Sequence, residues 1–284
     1  MTIKRVGIVG SGIMGSGIAE CAAKNGHEVV LRSRQQATAD AMVAGLEKAL
    51  AKQVEKGRVS EEDRTATLDR ITATSDLGEL ASCDLVIESI VEDLSAKRHL
   101  FNELDRICGE NTIIATNTST LPVIELAMET GRPDKVCGIH FFNPAGVMSL
   151  VEIVRPLTAS DETIAEARAF AEACGKGPVD VKDRAGFIVN ALLFPYLNNA
   201  VRLLEAGVAT KVDIDEAMKG GCGFPMGPFA LLDLVGLDTS LAILDALYDE
   251  YRDPNYSPVP LLRRMVSAEL LGRKSGKGFY DYHR

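Results

Sequence analysis

Residues 10–15 read Gly-Ser-Gly-Ile-Met-Gly, directly after the apolar run "RVGIVG" that begins at Arg5. The G-x-G-x-x-G spacing is weak evidence alone. Here it closes a predicted strand, opens a predicted helix and lies at the extreme N-terminus. In that context Gly10 permits a tight turn, Gly12 lets a pyrophosphate approach the backbone, and Gly15 lets helix and strand pack closely. The amides at the helix start, beginning at Ile13 and Met14, then face the phosphates. A chain that starts this way is constrained to a parallel sheet with helices on both faces, carrying a dinucleotide at the strand ends. The alternative is a plain strand-to-helix turn that happens to be rich in glycine.

The rest of the first half keeps that rhythm. "IMGSGIAECAAKNG" has helical spacing and stops at Gly26. "HEVVL" reads as a second strand, and residues 37–56 as a long helix rich in Ala and Lys. "CDLVIESI" and "TIIATNT" suit buried parallel strands, with the amphipathic "EDLSAKRHLFNELDRIC" between them. "KVCGIHFFN", "SLVEIVR" and "GPVDV" are three further strands. Beyond "KDRAGFIVN" the strand pattern ends and helical segments follow, among them the strongly apolar "FIVNALLFPYLNNAVRLLEAG", expected to kink near Pro195. The expected fold is therefore α/β: a Rossmann-type domain with a mostly parallel sheet over residues 1–184, then an all-α domain over 185–284. The apolar helix after Gly186 is either the core of that second domain or a subunit interface.

The 284 residues suffice for two such domains. Lys and Arg total 31 against 40 Asp and Glu, a net charge of −9. That balance argues against nucleic acid or an anionic membrane as the main partner. No apolar run reaches the length of a bilayer span, and the N-terminus lacks a signal-peptide pattern. Six scattered cysteines without a C-x-x-C pair read as reduced, buried, small hydrophobes of a cytoplasmic protein, and no metal site is expected.

The end of the second strand usually carries an Asp or Glu that accepts from the adenine ribose 2′-hydroxyl of NAD. Here the position is Ser33, flanked by Arg32 and Arg34. The missing carboxylate removes repulsion toward a 2′-phosphate, and an arginine can pair with that phosphate bidentately. The pattern favours NADP. The alternative is a relaxed NAD site beside two solvated arginines.

Of the four histidines, only His140 ends an apolar strand at the carboxyl edge, where α/β folds bind ligands. It is followed by a loop turned by Pro144 and Gly146, and then by a strand that contains Glu152. Two such strands can pair as neighbours and set the carboxylate beside the imidazole. A buried Glu would orient the ring and stabilise its cation, which is the acid/base arrangement a secondary alcohol needs when its hydride leaves for nicotinamide. A satisfied structural histidine and a paired strand carboxylate are the alternative.

At this point the motifs "GSGIMGSGIAE", "NTST", "HFFNPAGVMSLVEIV", "DRAGFIVNALL", "PMGPFALLDLVGLD" and "GRKSGKGFY", in this order along nearly the whole chain, resemble the short-chain L-3-hydroxyacyl-CoA dehydrogenase family. The resemblance implies that His140 is the catalytic base and Glu152 its electrostatic partner. It implies that Ser119 and Asn190 hold the oxygen-bearing atoms of an acyl-CoA substrate, and that the helical domain makes a homodimer. It further implies cofactor contacts at Asn117 and Ser119 of "NTST", at Glu92 and Lys97 of "VEDLSAK", at Asn143, and at Lys274 of "GRKSG". Lys56 falls where the family directs a lysine toward the CoA phosphates. Read without the resemblance, Glu92 is a helix-start acid, Lys97 a surface lysine and Lys56 a solvated helix end. The chain departs from the family pattern at Ser33, at Ser149 (often Lys), at Ala145-Gly146 (often Val-Pro) and at Ala49 (serine in some relatives). Those positions leave open an acyl group on a carrier protein or a dicarboxylic thioester. A non-catalytic nucleotide-binding relative is a third reading, which the joint presence of His140, Glu152, Ser119 and Asn190 opposes.

Overall fold

The computed structural model describes residues 3–283, and the chain divides between Asp183 and Arg184 into two compact units. The first is built on one eight-stranded sheet: β1 (Arg5–Val9), β2 (Glu28–Arg32), β3 (Ile71–Thr74), β4 (Leu85–Glu88), β5 (Ile113–Thr116), β6 (Val136–Phe141), β7 (Leu150–Arg155) and β8 (Gly177–Lys182). Their spatial order is β3-β2-β1-β4-β5-β6-β7-β8. The first six strands run parallel. Strand β7 turns back antiparallel to β6, and β8 follows β7 in parallel. That reversal follows from chain length: the eight residues 142–149 cannot form the crossover of a dozen or more residues that a parallel neighbour needs.

Six helices belong to this unit: α1 (Ile13–Lys24), α2 (Gln36–Glu55), α3 (Glu61–Asp69), α4 (Leu94–Ile107), α5 (Val123–Ala127) and α6 (Asp161–Ala173). Fully apolar strands such as Leu85–Ile87 and Ile113–Ala115 are buried on both faces, as helices covering both sides of a parallel sheet require. Helix α1 packs closely because its inner face is small: Gly15, Ala19, Ala22 and Ala23 are all buried. Neither α3 nor β3 stands out in the sequence. Strand β3 is four residues long and only partly buried, and α3 is mostly polar, so neither has a clear apolar period.

The second unit holds α7 (Val189–Glu205), α8 (Lys211–Cys222), α9 (Pro228–Val235), α10 (Leu237–Tyr251) and α11 (Pro260–Ser267). Among the described residues its only β pairing is two isolated bridges, Gly272 with Lys277 and Lys277 with Asp281. Helix α7 runs through Pro195, and "LLDLVGLDTSLAILDALYDEY" divides into two helices at Gly236, whose φ is +102°. The core is Phe194, Leu197, Val201, Phe229, Leu244 and Leu262 with their neighbours. Two buried carboxylates tie its ends together. Asp215 accepts from the amides of Phe229 and Ala230 and from the Tyr280 hydroxyl; Asp233 accepts from the amides of Phe279 and Tyr280.

Candidate active site

The glycine turn lies where β1 has β2 on one side and β4 on the other, the switch point at which α/β sheets bind ligands. Gly10 has φ +145°, and its amide donates to the Arg32 carbonyl at 3.1 Å, joining the turn to the end of β2. A Cβ on Gly10 would strike the Ser89 carbonyl, and one on Gly15 would strike the Gly10 carbonyl. At Gly12 a Cβ would meet nothing within 4 Å, so the open side of the turn is there. Gly12 also caps α1, with no side chain bonded to the first-turn amides and no acid in that turn. Met14 packs on the core, whereas Ile13 is 79% exposed. An uncapped helix start above an open glycine is what a pyrophosphate needs, so these residues fit a dinucleotide.

On the β2 side of the turn, Ser33 is buried, with its amide bonded to the Thr74 carbonyl at 3.0 Å. Strand β2 has ended at Arg32, so alternation no longer governs the two arginines. Arg32 is half-buried and donates to the Ser75 carbonyl, while Arg34 is exposed.

On the other side, β4, β5 and β6 present their ends in succession. Strands β6 and β7 pair with His140 directly opposite Glu152, so both side chains emerge on one face. His140 Nδ1 and Glu152 Oε2 are 2.7 Å apart, and both residues are buried. His140 Nε2 lies 3.1 Å from the Ser119 hydroxyl. The result is a serine–histidine–carboxylate chain whose outer member is half-buried at the strand ends. A carboxylate on one ring nitrogen fixes the tautomer and leaves the other nitrogen for proton exchange.

The segment holding Ser119 is itself held. Asn117 accepts from the Phe141 amide at 2.8 Å, joining the ends of β5 and β6. Glu92 accepts from the Ser119 amide at 2.9 Å and from the Thr118 hydroxyl. Lys97 is 1% exposed, so reading it as a surface lysine is corrected here. Its ammonium lies 2.6 Å from Glu88 and 3.2 Å from Glu92. Glu88, fully buried at the end of β4, also accepts from the Thr116 hydroxyl at 2.7 Å and from the Ile90 amide at 2.6 Å. Glu88 is a functional-site residue that the motifs do not mark. An acid ending the apolar run "DLVIE" at the same edge as His140 was the available signal.

Asn143 is exposed at the head of the loop after β6. That loop forms one wall of a cleft of about 880 Å³, whose other walls include Gly12, Ser16, Met42, Gln53 and Arg58. Lys56 caps the end of α2, exposed, between Gln53 and Arg58. Asn190 and Lys274 belong to the second unit. Asn190 is buried on the first turn of α7, and Lys274 is exposed and paired with Asp238 at 2.5 Å. One expectation fails for the cysteines: five are buried, but Cys222 is exposed.

Residues 5–184 match the family description "3-hydroxyacyl-CoA dehydrogenase, NAD binding domain", and residues 186–282 match "3-hydroxyacyl-CoA dehydrogenase, C-terminal domain". The chain belongs to the 3-hydroxyacyl-CoA dehydrogenase family. It is 46% identical over 280 residues to a 3-hydroxybutyryl-CoA dehydrogenase of Clostridioides difficile, covering 99% of this chain and 100% of that one. It is 44% identical over 287 residues to the human mitochondrial hydroxyacyl-coenzyme A dehydrogenase, covering 99% and 91%. Among solved structures, the (S)-3-hydroxybutyryl-CoA dehydrogenase PaaH1 from Ralstonia eutropha superposes with a TM-score of 0.97 at 43% identity, over 100% of both chains. As a member of this family the chain is an oxidoreductase with a nicotinamide-dinucleotide domain.

Proposed function

We propose that this 3-hydroxyacyl-CoA dehydrogenase interconverts (3S)-3-hydroxybutyryl-CoA and acetoacetyl-CoA, with NADP as the preferred cofactor. The observation that carries the reading is the Ser119–His140–Glu152 chain at the carboxyl edge, on the far side of the glycine turn from Ser33. Three strand spacings separate β1 from β6, roughly 14 Å. A dinucleotide would be held with its pyrophosphate by the glycine turn, its adenine ribose by the residues after β2, and its nicotinamide by those at the ends of β5 and β6. A bound nicotinamide supplies or accepts the hydride at C4. His140 protonates the ketone oxygen during reduction and takes the hydroxyl proton during oxidation. Glu152 keeps the imidazole oriented and offsets its positive charge. Ser119 and Asn190 hold the substrate's oxygen atoms, and Glu92 and Lys97 keep the Ser119 segment in place. The thioester runs along the cleft beside α2, where Lys24 and Arg58 line the wall, and the exposed Lys56 at the end of α2 adds a cation for the phosphates of CoA.

The cofactor preference rests on the missing acid at Ser33 and on the exposed Arg34. Wild-type protein is expected to show a higher kcat/KM with NADPH than with NADH toward acetoacetyl-CoA. Ser33→Asp should cut the NADPH/NADH ratio about tenfold or more, equivalent to roughly 1.4 kcal/mol. Equal ratios in the two proteins would leave Ser33 without a role in selection. NADPH dependence would make ketone reduction the working direction.

The second unit is the proposed homodimer face. Leu192 is 72% exposed, Val208 67%, Val212 51% and Leu203 45%, an unusual set for a helical surface left in water. Light scattering should return twice the chain mass of 30.5 kDa, and Leu192→Asp should shift the mass toward the monomer at micromolar concentration. A monomeric wild type would remove the proposal.

A further inference from the structure

The segment that carries Ser119 lies between β5 and α5, outside both. From Thr118 to Ile124, each amide donates to a side-chain oxygen, except at Pro122, which has no N–H to give. Thr118 donates to the Thr116 hydroxyl at 3.1 Å, Ser119 to Glu92 at 2.9 Å, and Leu121 to the Thr118 hydroxyl at 3.0 Å. The Thr120 amide is shared between Glu92 and the Thr118 hydroxyl, 3.4 Å from each. The last two amides, of Val123 and Ile124, donate to the two carboxylate oxygens of Asp183 at 3.0 and 2.7 Å. Two carboxylates therefore bracket the segment. Glu92 holds the serine itself, and Asp183 holds the downstream end.

Asp183 is well placed to act as a fixed point. It follows β8, and its amide donates at 3.1 Å to the carbonyl of Arg155, the last residue of the strand that carries Glu152. Helix α5 needs such a point. It has five residues and starts after Pro122, with no side-chain cap of its own, so its first amides require an outside acceptor. Val123 is fully buried and rests over Gly138 of β6, where a Cβ would come within 3.4 Å of its side chain. Gly138 and His140 alternate onto the same face of β6. So α5 lies on the His140 face, and the Asp183 carboxylate fixes its first turn there.

We propose that Asp183 is a positioning residue for the dehydrogenase reaction: by holding the downstream end of the segment, its carboxylate sets the reach of the Ser119 hydroxyl toward His140 and the substrate oxygen. This role rests on the substrate contact proposed for Ser119. A carboxylate that accepts two backbone N–H bonds holds them more strongly than a neutral acceptor does. Without it the segment keeps Glu92 as its only charged anchor and can pivot there. Shifts of about 1 Å at a reacting group cost on the order of a hundredfold in rate. A cap that served stability alone would leave kcat of the folded enzyme unchanged.

The test is a double-mutant cycle in the full-length enzyme, with acetoacetyl-CoA and NADPH. Asp183→Ala should lower kcat about tenfold to a hundredfold. Cofactor affinity, read by nicotinamide fluorescence, should stay close to that of wild type. In a Ser119→Ala background the same substitution should lower kcat by less than about twofold, because the hydroxyl it places is gone. Asp183→Asn keeps the side chain's size and one acceptor oxygen. It should lose less than Asp183→Ala, and it carries the cycle if Asp183→Ala does not fold. Hydrogen exchange should rise in the peptide spanning Ser119 to Ile124 and stay unchanged in the peptide containing the glycine turn. With Ser119→Ala itself slow, three results each overturn the role of Asp183 alone: unchanged kcat in Asp183→Ala, an equal loss in both backgrounds, or no rise in exchange from Ser119 to Ile124. A Ser119→Ala enzyme as fast as wild type would overturn the substrate contact given to Ser119 and the role of Asp183 together.

Discussion

His140→Gln is expected to lower kcat for acetoacetyl-CoA reduction by roughly 10²–10⁴-fold, about 3–5 kcal/mol of transition-state stabilisation. The reason is local. The ring contacts both Ser119 and the buried Glu152 carboxylate, the latter 2.7 Å from its Nδ1. Glutamine keeps an amide that can still donate toward Glu152, so the carboxylate is not abandoned, but it cannot carry a proton back and forth. Cofactor binding, read by nicotinamide fluorescence, should stay within a few fold of wild type, because the glycine turn is three strands away. KM should change little. A fall in kcat of less than tenfold would mean that another group moves the proton.

Lys97→Met is expected to cost about 3–5 kcal/mol of stability, the usual consequence of removing one member of a buried ion pair. Glu88 is fully buried and would keep only the Thr116 hydroxyl and the Ile90 amide as partners. Adding Glu88→Gln should recover much of the loss, since no buried charge is then left alone. Glu92 would lose its ammonium partner in the single variant, so the Ser119 segment should loosen and kcat should fall as well. Urea unfolding of the two single variants and the double variant measures the coupling. Additive losses across the cycle would show that the contact between Lys97 and Glu88 contributes nothing of its own.

Much of this architecture was legible in the residues because the physics was local. The glycine spacing is readable because Gly10 needs a positive φ and Gly15 a close approach to backbone, and a side chain would block both. The pairing of His140 with Glu152 was readable because a short loop between two apolar strands leaves them adjacent. Taken without the family resemblance, Lys97 passes for a surface lysine, although the signal for burial exists. It lies three, four and seven residues before the buried Leu100, Phe101 and Leu104, on the inward face of α4. Its charge suggested solvent, and only the fold showed that Glu88 waits at the end of a neighbouring strand. Glu88 itself was hidden for the same reason: a single acid after "LVI" does not announce its partner. Strand β3 escaped because four half-buried residues carry too little periodicity. The exposure of Cys222 was not readable from composition, which treats all six cysteines alike.

In the proposed reaction a hydride passes between nicotinamide C4 and C3 of a 3-ketoacyl thioester while His140 moves the proton. The most direct measurement is a turnover with acetoacetyl-CoA and reduced cofactor carrying deuterium in both C4 positions, followed by mass analysis and stereochemical assignment of the product. One deuterium is expected at C3 of (3S)-3-hydroxybutyryl-CoA, formed by wild type and barely at all by His140→Gln. Product without label at C3, or labelled product formed as fast by the variant, would contradict it.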